Sequence, residues 1–341
     1  MFPFIFNKIT HGLGESIAMK TKKRTAAGTG SPEPAISLRN NHRVRRNIWK
    51  NRAVYLMILP VVVFYIIFRY IPMGWLSISF YDYKILKGFG GSKFVGFDNF
   101  VYLFSNSSFW QALLNTLLLN LLVLLICFPA PIIFALLLNE LTHRKMKKAI
   151  QTVSYLPYFL SAVVVVGMIY NFLSSTSGSI NLLRQSMGMN TINFLQEPQY
   201  FRPIYVVANL WQGIGWSSII YLAALSSVDD TLYEAAMVDG ASRFQRCIHV
   251  TIPSILGTIM IMLIFQIGSL ITVGFDMTYL LQTPTNLSVS EVLTTYTYKL
   301  GMTSSRFGLA TVVDLFNSVV SFALVMLANV FSKKVAEVSI V

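Results

Sequence analysis

The sequence predicts an all-α polytopic membrane protein with six transmembrane helices, and three observations carry that prediction. Of the 341 residues, 54% are hydrophobic and only 12% charged, whereas a soluble domain carries about a quarter charged residues. Six apolar runs each approach the length of about 20 residues needed to cross roughly 30 Å of hydrocarbon. Between the fourth and fifth runs lies a polar stretch, Ser226 to Ile252, whose turn chemistry is that of a structured loop.

The chain divides into three parts. Residues 1–52 form a basic tail, residues 53–331 the membrane domain, and residues 332–341 a short C-terminal tail. Met1 to Phe6 is apolar but too short for a signal-peptide core, and no cleavage pattern follows, so no removed leader is expected. Residues 20–47 are rich in Lys, Arg, Gly, Ser, Pro and Asn and read as disordered. Met19, directly before Lys20, Lys22, Lys23 and Arg24, is a second candidate start.

The six runs are Ala53 to Tyr70, Phe109 to Leu138, Ala149 to Leu173, Pro203 to Leu225, Pro253 to Phe275 and Leu309 to Phe331. The second would be about 45 Å long as a straight helix, so it must tilt or kink, and Pro129 and Pro131 supply the break. Basic residues set the orientation. With the N-terminus inside, 19 of the 27 Lys and Arg fall on cytoplasmic segments: the N-terminal tail, Arg144 to Lys148, Arg243 with Arg246, and Lys333 with Lys334. Both termini and the 226–253 loop are then cytoplasmic. The net charge of +13 is concentrated ahead of Ala53, which fits a tail lying on an anionic lipid bilayer and gives no ground for a nucleic-acid partner.

The loop has its own local logic. Thr231 followed by Glu234, and Ser242 followed by Gln245, are spaced as capping boxes. They predict two short helices split at Gly240 in a left-handed turn and stopped before Pro253. Ala235 and Ala236 leave a bare surface that another protein can approach closely, flanked by Leu232, Tyr233 and Met237. An ordinary connecting loop with Glu234 as a capping residue is the plainer reading, and capping and docking are compatible.

Glu234-Ala235-Ala236, Gly240 and Val250-Thr251-Ile252-Pro253 resemble the EAA loop of membrane subunits of bacterial ATP-binding-cassette importers. Val250 and Ile252 stand where the pattern has Ile and Leu. The resemblance extends through Tyr70-Ile71-Pro72-Met73, Val95 to Phe100, Asn139-Glu140-Leu141, Gln151 to Pro157, Leu210-Trp211-Gln212, Tyr221 to Leu225 and Tyr233 to Ala241. These segments are similar to permeases of oligosaccharide importers, of the maltose-permease class and its polysaccharide-type branch. One departure is Asp314, where that branch usually has Gly.

The resemblance implies a type I ABC importer permease fold with a cytoplasmic EAA coupling-helix loop. It implies ATPase coupling through Tyr233, Glu234, Ala235, Ala236, Met237, Asp239, Gly240 and Pro253. It further implies a second, nonidentical permease subunit, two ATP-binding-cassette ATPase subunits, an extracytoplasmic solute-binding lipoprotein and an oligosaccharide substrate. Magnesium and ATP would belong to the partner ATPases, because this chain has no Gly-x-x-x-x-Gly-Lys-Ser/Thr loop and is expected to hold no cofactor. Its four histidines and two cysteines form no metal-ligand or disulfide pattern, and no Gly-x-Ser-x-Gly elbow occurs. Neither a metal site nor a catalytic centre is expected.

Polar residues at helical spacing within the apolar runs form the candidate substrate pathway. They are Asn209, Gln212 and Trp216 in the fourth run, Gln266, Ser269 and Asp276 in the fifth, and Asp314, Asn317 and Ser321 in the sixth. A charged group at a helix centre costs about 2.5 to 3.5 kcal/mol on insertion scales, so these side chains are expected to point away from lipid. Amides and carboxylates bond sugar hydroxyls, and an aromatic face packs on a pyranose ring. The same residues can instead join helices, with Gly213 and Gly215 permitting close approach. The alternative function is an ion-coupled secondary transporter, but no internal repeat is evident; a membrane enzyme lacks its constellation.

Overall fold

The computed structural model describes residues 49–336. Most of the basic tail, and the C-terminal residues after 336, lie outside the described residues, so the expectations for those tails are not addressed by it. The described chain falls into two units, one ending at Trp75 and the other beginning at Leu76. The first contains α1, Arg52–Tyr65, an apolar helix with Pro60 inside it, followed by a wide turn at Ile66–Tyr70.

The second unit opens with a two-stranded hairpin, β1 Tyr81–Asp82 against β2 Lys93–Phe94. Asn99 fixes it, donating to the carbonyls of Ser79 at 2.8 Å and Tyr81 at 3.0 Å, while Phe97 and Phe100 pack on Phe80. The Val95 to Phe100 segment therefore has a structural reason for its composition. Helix α2 is Asp98–Ser105, α3 Ser107–Cys127 and α4 Pro129–Asn139. The predicted break in the second run falls at Phe128, immediately before Pro129.

The third run is not a straight span. Helix α5, Arg144–Tyr155, passes through a tight turn at Leu156–Phe159 into α6, Ala162–Leu173, with a bend of 100°. Pro157 and the Ser161 N-cap, whose hydroxyl accepts from Val164 N, supply the break. Helix α7, Ser179–Ser186, leads to α8, Pro198–Leu225, which is 28 residues long.

The loop carries α9, Asp230–Val238, and α10, Arg243–Arg246. A wide turn at Cys247–Thr251 joins α10 to α11, Ile252–Gly268. The fifth run was expected to continue to Phe275, but the chain leaves the helix at Gly268, turns, and forms α12, Phe275–Leu281. Helices α13, Leu293–Tyr298, and α14, Phe307–Ala336, complete the chain.

Four helical runs are long and apolar enough to cross a membrane: Arg52–Phe80, Ser107–Asn139, Arg243–Gly268 and Phe307–Lys333; the bent pair α5–α6 makes a fifth. Helix α8 has the length of a span, but Gln199, Arg202, Asn209, Gln212 and its two serines dilute its apolar character.

Three clusters hold the second unit together. Leu119, Val166, Tyr205, Val273 and Leu281 join α3, α6, α8 and α12. Phe109, Leu293, Tyr296 and Val312 join α3, α13 and α14. Ala135, Tyr221, Leu225 and Ile255 join α4, α8 and α11. Between α11 and α13 the chain is broken into short helices and turns, whose free backbone groups an apolar environment tolerates only when they find protein partners. A polar stripe on α3 provides them. Asn120 donates to Leu270 O at 2.7 Å, Asn115 to Ser288 O and Glu291 O, and the Thr116 hydroxyl accepts from Leu293 N.

Candidate functional site: the loop and the polar stripes

The loop folds as the helix–turn–helix expected, with two corrections. Asp229, not Thr231, caps α9: its carboxylate accepts from Thr231 N at 3.0 Å. The carboxylate lies nearer the first free amides than the Thr231 side chain would, so the Thr231/Glu234 box does not form. Glu234 is then the fifth residue of α9 and exposed, away from the helix terminus where a carboxylate meets the dipole. The second box is present, with Ser242 and Gln245 bonded reciprocally.

Gly240 has φ of +77°, the left-handed conformation that ends a helix. Ala241 N donates to Ala236 O at 2.9 Å and Gly240 N to Met237 O at 3.1 Å, which satisfies two of the carbonyls left open at the end of α9.

Pro253 does not stop α10. The chain runs helically from Arg243 to Gly268, 26 residues, because the wide turn at Cys247–Thr251 makes room for the proline ring one turn early. Ser254 Oγ donates to Val250 O at 2.7 Å across the same region. Pro253 itself is exposed, in the first turn of α11. The loop is thus rooted directly on a membrane helix.

The outward surface of the loop mixes apolar residues with charged ones, Asp229, Asp230, Glu234, Asp239 and Arg243 among them. Ala235 and Met237 are exposed, as are Leu232, Val238 and Phe244, the last two at 88% and 74%. Val238 and Phe244 were not singled out from the sequence, although two apolar residues inside a polar loop were a legible sign. Ala236 is half-buried and lines a groove of about 270 Å³ with Asp239, Gly240, Gln245, Arg246 and His249. The Tyr233 hydroxyl lies 3.0 Å from Thr251 Oγ1. The Asp229 carboxyl is held below the usual carboxylate range, chiefly by the Thr231 backbone N–H and then by the Thr231 hydroxyl.

The polar stripes are less uniform than expected. Asn209 donates to Tyr205 O in its own helix and to Met277 Sδ on α12. Gln212 donates to Leu160 O at 2.8 Å, a carbonyl exposed by the bend between α5 and α6. Trp216 stacks on Tyr158 with ring centroids 4.5 Å apart and planes 4° from parallel, with Phe159 edge-on. Gly215 is where α8 meets α5: a Cβ there would collide with the Ser154 carbonyl, whereas Gly213 faces open space.

Asn317 reaches Thr272 Oγ1 at 3.4 Å while its own Oδ1 is buried without a partner. Gln266 is half-buried near the end of α11, and Asp314 is exposed on α14. Asp276 is exposed in the first turn of α12 and so stands outside the fifth membrane helix. None of these residues lines the apolar cavity of about 610 Å³ beside α6, α7 and the start of α8, or that of about 430 Å³ between α5 and α8. Cooperation of the stripes on the fourth run with those on the fifth and sixth is not visible within this single chain.

Long apolar helices joined to an exposed helix–turn–helix define a membrane-embedded component rather than a soluble domain. The chain belongs to the family of binding-protein-dependent transport system inner membrane components, whose model matches residues 113–337. It is 40% identical over 316 residues to the polygalacturonan/rhamnogalacturonan transport system permease protein YteP of Bacillus subtilis (strain 168), covering 92% of this chain and 98% of that one. It is 42% identical over 291 residues to Protein LplB of the same organism, covering 85% and 90%. Among solved structures, it is similar to a chain of a bacterial ABC transporter involved in the import of the acidic polysaccharide alginate. The TM-score is 0.80 and the identity 39%, over 86% of this chain and 99% of that one. A second structure captures the bacterial alginate transporter with an alginate pentasaccharide-bound periplasmic protein, at a TM-score of 0.81 and 38% identity, over 87% and 100%.

Proposed function

We propose that this chain is the transmembrane permease subunit of an ATP-driven importer that takes up an oligosaccharide delivered by an extracytoplasmic solute-binding protein. The observation that carries the reading is the loop: a capped helix pair, turned at Gly240, exposes small and apolar residues at the root of a continuous 26-residue helix. Such a surface suits the groove of a partner ATPase, and its rooting lets movement there reach the membrane. The family membership and relatives named for pectic polymers and alginate support a carbohydrate cargo.

In this reading six helices cross the bilayer, α8 and the bent pair among them, and both termini and the loop are cytoplasmic. A second permease subunit covers the exposed polar positions Asp314 and Trp216, and two ATPase subunits bind MgATP. Tyr233, Glu234, Ala235, Ala236, Met237, Asp239, Gly240 and Pro253 form or shape the docking element. Asn209, Gln212, Trp216, Gln266, Asp276, Asp314 and Asn317 border the pathway. ATP binding closes the ATPases and turns the pathway outward to receive sugar; hydrolysis resets it inward. The test is co-expression with the neighbouring transport genes, purification, and reconstitution with ATP inside liposomes. ATP-dependent accumulation of alginate or galacturonan oligomers is expected; a purified assembly that contains no ATPase subunit would overturn the reading.

A further inference from the structure

Helix α9 buries no residue completely, so few contacts hold it to the membrane domain. Two are covalent, the Ser226–Asp229 link from α8 and the turn from Asp239 to Ser242 into α10. Another is the bond between the Tyr233 hydroxyl and Thr251 Oγ1 at 3.0 Å. Thr251 is only 5% exposed and is the last residue of the wide turn that feeds into α11. Its hydroxyl also donates to Arg246 O at 3.4 Å. Either hydroxyl can donate in the 3.0 Å Tyr233–Thr251 bond, which is the shorter of the two Thr251 contacts. The three groups form a contiguous chain, from the second turn of α9 through the base of α11 to the end of α10.

We infer that Tyr233 and Thr251 are positioning residues: their hydrogen bond clamps α9 to the root of α11, so that displacement of the docked helix becomes displacement of the fifth membrane helix. The inference rests on the reading of α9 as the element that an ATPase engages. Without the clamp, α9 would still present its outer residues, Glu234, Ala235 and Met237, to a partner. It would then swing on its two chain links, Ser226–Asp229 and the Gly240 turn, whose glycine resists rotation less than any other residue. Removing the bond therefore separates docking from transmission.

The experiment uses the assembled complex and needs no knowledge of the sugar. Amide hydrogen exchange is followed in α9 and in Ile252 to Leu256, with and without MgATP and vanadate, for wild type, Tyr233→Phe, Thr251→Val and Thr251→Ser. In wild type the nucleotide is expected to change exchange in both segments. In Tyr233→Phe and Thr251→Val the change in α9 persists, while that in Ile252 to Leu256 falls by about two- to tenfold, the range a single net hydrogen bond spans. Thr251→Ser keeps the hydroxyl and the wild-type response, and co-purified ATPase shows that every variant is folded. A wild-type-sized response at Ile252 to Leu256 in both hydroxyl-deleted variants overturns the clamp alone. No nucleotide response in wild-type α9 overturns the docking reading, and the clamp with it.

Discussion

Two glycines separate two reasons for having no side chain. Gly240 has a left-handed backbone, yet an added Cβ would meet nothing within 4 Å. Its requirement is conformational, and Ala there should cost about 1 to 2 kcal/mol of local loop stability, Asn less. In the isolated subunit Gly240→Ala carries that conformational cost alone, because an added Cβ meets nothing within 4 Å; unfolding of the isolated Gly240→Trp subunit measures any further cost of the ring within the chain. In the complex, a further drop in ATPase co-purification with Trp alone would report a partner surface over Gly240; equal retention of ATPase by both variants would contradict docking at this turn. Gly215 has an ordinary helical backbone but lies against the Ser154 carbonyl, so Gly215→Ala must part α8 from α5. Overpacking of this kind costs about 1 to 3 kcal/mol, while Gly213→Ala, in open space, should be neutral. Thermal unfolding of the detergent-purified subunit checks both, and equal midpoints for the two variants would remove the close approach.

At the scale of the element, α9 depends on the Asp229 carboxylate. The native state holds that group's pKa below its ordinary value, so the capped helix gains stability above the unfolded Asp range and loses it as pH falls through the lower, folded value. Amide protection at the start of α9 should therefore decline on acidification. Asp229→Asn, which keeps a capping oxygen, should flatten that decline; an unchanged pH profile in Asp229→Asn would assign it to another group. Local rules made the Ser242/Gln245 box and the Gly240 turn legible in the sequence, because each is settled within six residues. The Thr231/Glu234 expectation failed because a stronger acceptor stood two positions earlier, and the Pro253 stop failed because a wide turn absorbed the ring. The 100° bend inside the third apolar run escaped hydropathy altogether, since a bent segment and a straight one bury the same residue types. Its signs were Pro157 and Ser161, and its consequence was that Gln212, read as a sugar contact, is already bonded to Leu160 O. The Asn115 and Asn120 amides on α3 were likewise invisible in role, because their partners are carbonyls about 150 to 176 residues away.

At the scale of the whole molecule, the number of crossings decides which side the loop faces. Four helical runs qualify by length and composition and the bent pair α5–α6 adds one, while α8 is long enough but diluted by polar side chains. If all six cross, both termini and the loop share one side, and the 174–197 segment lies opposite. With only the four, the loop stays with the termini but residues 174–197 move to that side too. Five crossings, with α8 lying flat, would put the loop and the N-terminus on opposite faces. Charge favours six: Arg144 to Lys148 holds four basic residues and the loop two, whereas 174–197 holds Arg184 alone. Burial agrees, because Tyr205, Ala208, Tyr221 and Leu225 place α8 in two of the apolar clusters along its length, which a surface helix would not require. Cysteine labelling separates the three cases. In a background with Cys127 and Cys247 replaced, a membrane-impermeant maleimide applied to intact cells should label Met187→Cys, 64% exposed after α7, and Met302→Cys, 70% exposed before α14. It should leave Val238→Cys on the loop unlabelled until the membrane is opened. Labelling of Val238→Cys from outside would select five crossings and remove the loop from the compartment that holds ATP. Protection of Met187→Cys alone would select four, and would make α5 through α8 a re-entrant assembly instead of a pair of spans.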